Sequence, residues 1–182
     1  MTYPSKSKPE TLEVVRASAQ QQMVVANLLE LYAHDFSEFL DVKPGDDGRF
    51  GYKNLELYWS DPTRHPLLVK LDGSLAGVVL VKRGSEVSGN PDVWDMAEFF
   101  VLRGFRRRGI GTRIALDVWR KFPGPWEVRV MQRNDSACQF WQNAVSTFAG
   151  DTAISSIFEK NGERWHLFSF ESPDPIDATS AH

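Results

Sequence analysis

Apolar side chains recur at the spacing of an amphipathic helix in three segments of the chain. These segments are Ala19–Phe39, Thr112–Phe122 and a stretch that begins after Asn134. Pro123 stops the second helix, and the Asn134 side chain is suited to cap the third. A short helix is also expected at Asn54–Trp59. The pattern therefore predicts four helices.

Between the helices, runs rich in β-branched and aromatic residues predict strands. Two pairs of runs are joined by Asp72-Gly73 and by Asn161-Gly162, which favour tight hairpin turns. The predicted strands are Thr11–Arg16, Pro66–Leu71, Leu75–Lys82, Trp94–Leu102, Trp126–Met131, Ile154–Glu159 and Arg164–Phe170. The resulting order is β-α-α-β-β-β-α-β-α-β-β. Because hairpins are mixed with β-α-β units, we expect a mixed sheet with helices on both faces.

The two ends of the chain differ from its middle in composition. Residues 1–9 and 172–182 are polar, contain Pro and Ser, and carry few large apolar groups. Such segments bury too little surface to offset the entropy of ordering. We therefore expect flexible tails around one domain at residues 10–171, which suits a chain of 182 residues.

The overall composition indicates a soluble, intracellular protein. Its net charge of −3 gives no general attraction to nucleic acid. No apolar run approaches the ~18 residues of a membrane span, and the N-terminal segment lacks the apolar stretch of a signal peptide. The single cysteine, Cys138, can form neither an internal disulfide nor a thiolate metal cage. We expect a cytoplasmic protein with no membrane and no nucleic-acid partner.

Candidate chemistry is concentrated in Arg103–Arg113, a loop with five arginines and no acidic residue. It lies between a predicted strand and a predicted helix. Gly109 and Gly111 allow the backbone to approach a ligand closely, and the free amides at the start of the helix favour an anion. The loop therefore suits a pyrophosphate or a ribose phosphate, although an arginine-rich turn can also be plain solvated surface.

Other phosphate-binding and basic motifs fit this loop less well. Its glycine spacing is not G-x-G-x-x-G, and the strands do not repeat as βαβ units, which disfavours a Rossmann site. The P-loop pattern G-x-x-x-x-G-K-[ST] does not occur in the chain. A nucleic-acid contact would rest on one basic loop without interleaved aromatic residues, which is weak support.

Two motifs resemble those of the GCN5-related N-acetyltransferases. The family's Arg/Gln-x-x-Gly-x-Gly/Ala loop follows its fourth strand and opens its third helix, and here it is Arg106-Arg107-Arg108-Gly109-Ile110-Gly111. The family's Asn-x-x-Ala-x-x-Phe-Tyr motif is similar to Asn134, Ala137, Phe140 and Trp141. The resemblance covers residues 11–170. It implies a single-domain α/β fold with a mixed, mostly antiparallel twisted sheet.

The resemblance further implies that the protein binds acetyl-coenzyme A and transfers its acetyl group directly to an amine. Backbone amides near Arg108–Thr112 would hold the pyrophosphate, and the pantetheine arm would enter a gap between the fourth and fifth strands. Phe140 and Trp141 would either flank the cofactor or pack in the core. The cofactor-binding residues expected on this basis are Val101, Leu102, Arg103, Arg106, Arg107, Arg108, Gly109, Ile110, Gly111, Thr112, Arg113, Asn134, Ala137, Phe140 and Trp141.

A carboxylate on the fourth strand is the expected catalytic base, because the attacking amine must be neutral and a lysine-like amine has a pKa of about 10.4. Family members often use a glutamate there, which makes Glu98 the first candidate and Asp95 the second. Strand alternation places these two acids on opposite faces unless a bulge intervenes. Either acid could instead be an exposed or ion-paired strand residue.

The general acid that the resemblance implies is absent from its usual position. Many family members have a tyrosine where this chain has Trp141, and an indole N–H is not a practical acid. Tyr32, Tyr52 or Tyr58 would have to reach the thiolate, or water would suffice. The same substitution raises an alternative function, an acyl-coenzyme A binding or sensing domain with little catalysis.

The acceptor is expected to be a cationic primary amine on a small molecule or a peptide. Glu30–Asp61 contains eight acidic and three basic residues, and the resemblance places this region over the acceptor side of the cleft. An acidic wall would attract a cation, although these residues could simply keep the surface soluble. The histidines show no metal-ligand spacing, so no metal is expected. Homodimers are common among similar proteins, and one is compatible with this chain.

Overall fold

The computed structural model describes residues 10–174, and the predicted order of elements is confirmed. The strands are β1 (Leu12–Arg16), β2 (Arg64–Leu71), β3 (Ser74–Arg83), β4 (Trp94–Val101), β5 (Gly124–Met131), β6 (Ile154–Lys160) and β7 (Glu163–Ser172). The helices are α1 (Gln22–Phe36), α2 (Leu57–Ser60), α3 (Ile110–Lys121) and α4 (Asp135–Ala149). Short 3₁₀ turns lie at Ala19–Gln21, Arg103–Phe105 and Gly150–Thr152.

The expected tails fall largely outside the described residues, which exclude 1–9 and 175–182. Ser172 is the exception, because the sequence analysis assigns it to the C-terminal tail and the structure makes it the last residue of β7. Ser172 is buried, and its hydroxyl donates a hydrogen bond to the Trp119 carbonyl at 2.7 Å. β7 therefore ends two residues beyond the predicted strand and one residue beyond the predicted end of the domain.

The seven strands form one open sheet in the order β1-β2-β3-β4-β5-β7-β6. All neighbouring strands are antiparallel except β4 and β5. The predicted turns at Asp72-Gly73 and Asn161-Gly162 join two hairpins, and all four residues have positive φ. The mixed, mostly antiparallel sheet expected from the sequence is therefore confirmed.

Helices cover both faces of the sheet, because each buries one apolar side. α3 and α4 pack against one face around Trp119, and α1 and α2 pack against the other around Tyr58. Neighbouring residues of β3 alternate between the two cores, with Val79 in the first and Val78 in the second. In residues 10–174, no helix is long and apolar enough to cross a membrane.

β4 and β5 separate soon after they begin. They pair only at Trp94 with Trp126 and at Asp95 with Glu127. Apart from Ala97, Met96–Val101 remains paired with β3, and the rest of β5 remains paired with β7. The facing backbone groups therefore lose their partners across the sheet. A gap opens between neighbouring strands, as the resemblance predicts.

β4 contains one extra residue opposite β3. Leu80 pairs with Glu98 and the next residue, Val81, pairs with Met96, so that Ala97 is left unpaired. Such a bulge shifts the side-chain alternation by one position. As a result Glu98 lies on the α1 side of the sheet, as Asp95 also does. A bulge was the one case in which Asp95 and Glu98 would not lie on opposite faces of the sheet, and it is present.

Gly77 is required where β3 passes close to the end of β4. It lies opposite Val101, and a Cβ at this position would stand 2.2 Å from the Phe100 carbonyl oxygen. We expect Gly77→Ala to lower the free energy of unfolding by about 2 kcal/mol or more, because backbone would have to move. Denaturant unfolding measures this loss. Gly104→Ala, whose Cβ meets no atom within 4 Å, is the matched control, and equal stability of the two variants would contradict the contact.

Candidate active site

A cleft of about 520 Å³ lies at the gap between β4 and β5. Its walls come from α1, the end of β4, the arginine-rich loop, and the first turns of α3 and α4. Most of the expected cofactor-binding residues line it together, namely Val101, Arg103, Arg106, Arg107, Gly109, Gly111, Thr112, Asn134, Ala137, Phe140 and Trp141. The fold thus brings both sequence motifs to one cavity.

Four of the expected cofactor-binding residues are placed elsewhere. Leu102 packs with the core under α1, and Ile110 is fully buried beneath α3. The Arg108 and Arg113 side chains both turn toward Glu10, which precedes β1. These four side chains support the fold around the cleft and do not line it.

The start of α3 presents backbone amides to this cleft. Gly109 caps the helix with a φ of 73°, a left-handed conformation that favours glycine. The first helical hydrogen bond runs from the Arg113 amide to the Gly109 carbonyl at 3.3 Å. The amides of Ile110–Thr112 therefore have no acceptor within the helix, and they stand at the positive end of its dipole. This arrangement can bind a diphosphate.

Asp35, near the end of α1, holds two arginines of the loop. Its carboxylate lies 2.7 Å from Arg103 and 2.6 Å from Arg106. Burial raises the pKa of Asp35, but the hydrogen bonds and charges of the two arginines outweigh burial and lower the pKa overall. With Arg108 also paired to Glu10, much of the loop's positive charge is neutralised within the fold. This weakens the case for a nucleic-acid contact.

The end of β4 offers a backbone donor to the gap. The Leu102 amide donates to the Ala76 carbonyl at 2.9 Å on the β3 side, so the amide and carbonyl of Val101 point the opposite way. The Arg106 Nε donates to the Val101 carbonyl at 2.6 Å. The Val101 amide is left facing the gap, where an extended ligand could pair with it as another strand would.

The residues of the second motif combine packing with lining of the cleft. The Asn134 side chain caps α4 by accepting a hydrogen bond from the Ala137 amide at 3.0 Å. Trp141 is buried against the ring of Phe99, with centroids 4.9 Å apart, and its edge still reaches the cleft. Phe140 lies over Gly111, where an added Cβ would stand 3.0 Å from the ring. These two aromatic residues therefore pack in the core and also line the cleft, while their contact with a cofactor stays a prediction.

Glu98 is held by tyrosines on the α1 side of the sheet. The Tyr52 hydroxyl donates a hydrogen bond to its carboxylate at 3.0 Å, and the Tyr32 hydroxyl also approaches the carboxylate. Burial raises the pKa of Glu98, although the two tyrosines and Arg129 oppose this increase. A carboxylate with a raised pKa accepts a proton more readily near neutral pH.

Asp95 is engaged in a different interaction. It is 2% exposed, and its carboxylate lies 2.8 Å from Arg129 and 3.7 Å from Lys82. Burial raises the pKa of Asp95 while the charge of Arg129 lowers it. Because its oxygens are committed to this buried pair, Asp95 is suited to hold Arg129 in place. The arrangement favours Glu98 over Asp95 as a proton acceptor.

The three candidate tyrosines occupy different positions. Tyr32 lines the cleft, Tyr52 is bonded to Glu98, and Tyr58 is 1% exposed beneath Tyr52. Burial raises the pKa of Tyr58 to about 12. Tyr32 is therefore the one of these three whose side chain faces the cavity as well as the Glu98 carboxylate.

Several carboxylates of the acidic region Glu30–Asp61 are already bonded within the fold. Glu30 accepts hydrogen bonds from the amides of Phe50 and Gly51 at 2.7 and 3.0 Å, and Asp35 binds the two arginines described above. Glu38 lines the cleft. Electrostatic attraction of a cationic acceptor by this region stays a prediction, and fewer carboxylates are free to produce it than the sequence suggests.

A second cavity, of about 270 Å³, is one that the sequence analysis missed. It lies between Leu40 after α1, Arg129 on β5 and the β6–β7 hairpin. The available signal was Arg129 itself, a charged residue between buried Val128 and Val130. In the described part of the chain, no group of His, Cys, Asp and Glu side chains is placed to hold a metal ion.

Comparison with known proteins agrees with this geometry. Residues 25–144 match the Acetyltransferase (GNAT) family. The aminoglycoside acetyltransferase AAC(6')-Ib in complex with coenzyme A is similar at a TM-score of 0.64 and 11% identity, covering 88% of this chain and 95% of that chain. The spermidine N-acetyltransferase from Vibrio cholerae, in complex with CoA and spermine, has a TM-score of 0.60 and 12% identity, with the same coverages.

An acetyltransferase from Thermus thermophilus is also similar, with a TM-score of 0.60, 16% identity, and coverage of 88% of this chain and 97% of that chain. A comparison with curated proteins found no match. The family match spans more than half of the chain, and the fold is similar to that of these solved structures. The chain therefore belongs to the GNAT acetyltransferase family.

Proposed function

We propose that this protein transfers the acetyl group of acetyl-coenzyme A to a primary amine within a ternary complex. The observation that carries the proposal is Glu98, a half-buried carboxylate on the bulged strand beside the gap, bonded to Tyr52 at 3.0 Å. Family membership supports acyl transfer in general. The single free cysteine favours the cytoplasm as the location.

The described residues fit the co-substrate. The amides of Ile110–Thr112 would hold its diphosphate, with Arg107 beside them on the cleft wall. The Val101 amide would pair with the pantetheine arm, which would fill the space that β5 leaves. Two similar structures were obtained with coenzyme A, which supports this assignment.

In the proposed reaction, Glu98 accepts a proton from the acceptor ammonium group, directly or through one water. The neutral nitrogen then forms a bond to the acetyl carbonyl carbon and loses its second proton to water, and the carbon–sulfur bond breaks. The thiolate leaves with the electron pair of that bond and takes a proton. The products are the acetylated amine and coenzyme A.

Tyr32 is proposed as the donor of the proton that the thiolate takes. Burial raises the pKa of Tyr32, and the negative charge of Glu98 raises it further. Once Glu98 has taken the proton of the amine, this second cause disappears and Tyr32 becomes a better donor. Proton transfer from Glu98 back to Tyr32 would then restore both groups.

The experiment that tests the proposed function combines calorimetry with a thiol-release assay. Coenzyme A is titrated into the purified protein, and free thiol is then followed with acetyl-coenzyme A and a panel of primary amines. Binding together with amine-dependent thiol release supports the proposal. Binding without release on any amine would support the alternative, an acyl-coenzyme A sensing domain, and absence of binding would contradict both.

We expect Tyr32→Phe to lower kcat by about 100-fold, the lower end of the range for loss of a general acid. The KM for acetyl-coenzyme A should stay unchanged, because the ring and its packing against Phe100 are retained. Tyr58→Phe, which removes a hydroxyl from a buried tyrosine outside the cleft, is the matched control. Steady-state kinetics measure both variants, and an equal kcat for the two would remove Tyr32 from the mechanism.

A further inference from the structure

The second cavity lies on the same side of the sheet as Glu98. Arg129 lines it, binds Asp95, and acts on Glu98 through its charge. On the opposite wall, Leu40 lines the second cavity and the preceding residue, Phe39, lines the cofactor cleft. Asp95 and Glu98 are three residues apart on this side of β4, so Arg129 links the cavity to the strand that carries the proposed base. The cavity is therefore placed to hold the part of an acceptor that does not react.

The polar groups of this cavity are mainly hydrogen-bond donors. Arg129 donates to Asp95 and Glu86 through three N–H groups, which leaves two of its five. Lys160 binds Glu86 at 3.1 Å and keeps two further ammonium protons. The Trp165 indole N–H is shielded from solvent and has no hydrogen-bond partner among residues 10–174. An acceptor oxygen in the cavity would supply partners for these groups.

Carboxylates on this wall are already paired. Glu163, which also lines the cavity, forms an ion pair with Arg133. A bound cation would therefore find no free carboxylate among the lining residues. The lining is instead suited to an anionic group.

The carboxylate of Glu86 is bound by the two cations that line the cavity, Arg129 and Lys160, and by Lys82. Its carboxylate lies 2.5 Å from Lys82, 3.0 Å from Arg129 and 3.1 Å from Lys160. The hydrogen bond from Lys82 is the largest cause that lowers the pKa of Glu86, to about 2. Together with Asp95 and with Glu98, on which the charge of Arg129 also acts, three carboxylates face three cations in this cluster. The cluster is therefore balanced in charge, and a further carboxylate would be held by the remaining N–H donors of Arg129 and Lys160.

We infer that the acceptor is an amine that also carries a carboxylate and an apolar or aromatic body, as an amino acid or a short peptide does. The inference rests on the proposed function, because it places the acceptor ammonium toward Glu98. The carboxylate lies toward Arg129 and Lys160. The apolar body packs against Phe158 and Trp165, whose rings stack with centroids 6.3 Å apart.

The first test compares acceptors that differ only in the carboxylate. L-phenylalanine is assayed beside L-phenylalaninamide, and phenylalanyl-leucine beside its carboxamide, with acetyl-coenzyme A and thiol release as the readout. We expect kcat/KM to be about tenfold or more higher for the acid of at least one pair, the effect of a charge-assisted hydrogen bond. The ammonium group of the carboxamide is more acidic than that of the carboxylate form, so more of the carboxamide is in the reactive neutral state. A preference for the carboxylate form must therefore come from binding.

The second test removes one cation. We expect Lys160→Gln to raise the KM for the preferred acid by about 5- to 10-fold while leaving its carboxamide and acetyl-coenzyme A unaffected. Lys121→Gln is the matched control, because Lys121 has the same exposed side-chain fraction of 43% and lies at the end of α3. Trp165→Phe, which removes the indole N–H and keeps an aromatic ring, is expected to raise the same KM.

The outcomes separate this inference from the proposed function. Equal kcat/KM for acid and amide, turnover only of amines without a carboxylate, or a Lys160→Gln effect that is the same on both members of a pair would each overturn the inference and leave acetyl transfer standing. Failure to bind coenzyme A would overturn the proposed function and the inference with it.

Discussion

Gly109→Glu is expected to abolish coenzyme A binding and to leave the protein folded. The new carboxylate would stand at the start of α3, where the backbone amides are placed for a diphosphate, and like charges would repel. The left-handed φ of 73° at this position adds about 1–2 kcal/mol of strain for a residue with a Cβ. Because that Cβ would meet no atom within 4 Å, core packing should not change.

Isothermal titration calorimetry measures this loss, and we expect affinity to fall by at least about 100-fold, or roughly 2.7 kcal/mol. Gly104→Glu is the matched control, since it adds the same charge to the same loop without a Cβ contact or a positive φ. Similar affinities in the two variants would show that the amides at the start of α3 do not hold the cofactor. A similar circular dichroism spectrum and unfolding midpoint would confirm that both remain folded.

Glu98→Gln is expected to lower kcat by about 100- to 1,000-fold near pH 7 and by a smaller factor near pH 9. The amide cannot accept a proton, but Tyr52 can still donate to its carbonyl oxygen, so the local structure should persist. The amine reaches its neutral form more often at the higher pH, which reduces the need for a base. An equal loss at both pH values would argue against a base at this position.

The wild-type protein should show the matching pH profile. Burial raises the pKa of Glu98, so the carboxylate becomes protonated, and unable to act as a base, at a higher pH than an exposed glutamate would. Activity should therefore fall on the acidic side as pH drops through this raised pKa. Glu13→Gln, on the exposed face of β1, is the control and should leave both the rate and the profile unchanged.

The order of elements and the position of the arginine-rich loop at the start of α3 were predictable because they depend on local sequence. Asp72-Gly73 and Asn161-Gly162 determine their turns through backbone angles. Gly109 and Gly111 of the arginine-rich loop identify the start of α3 for a similar reason. These signals involve residues close together in the chain, where spacing alone carries the information.

The contacts around Glu98, Asp35 and Tyr32 were not predictable in the same way. The bulge at Ala97 is visible only from the register between β4 and β3, and alternation within β4 alone would separate Asp95 from Glu98. The pairing of Asp35 with two arginines joins residues about 70 positions apart. These residues meet because α1 packs against the sheet. Nothing in the sequence distinguished Tyr32 from the other tyrosines, because its position depends on that same docking.

One helix takes part in both halves of the site. Tyr32 and Asp35 are three residues apart on α1 and therefore project from the same side, one toward the base and the other onto the cofactor loop. A shift of α1 caused by the binding of one substrate would change the affinity of the protein for the other substrate. Such cooperativity is reciprocal, so each substrate would change the binding constant of its partner by the same factor.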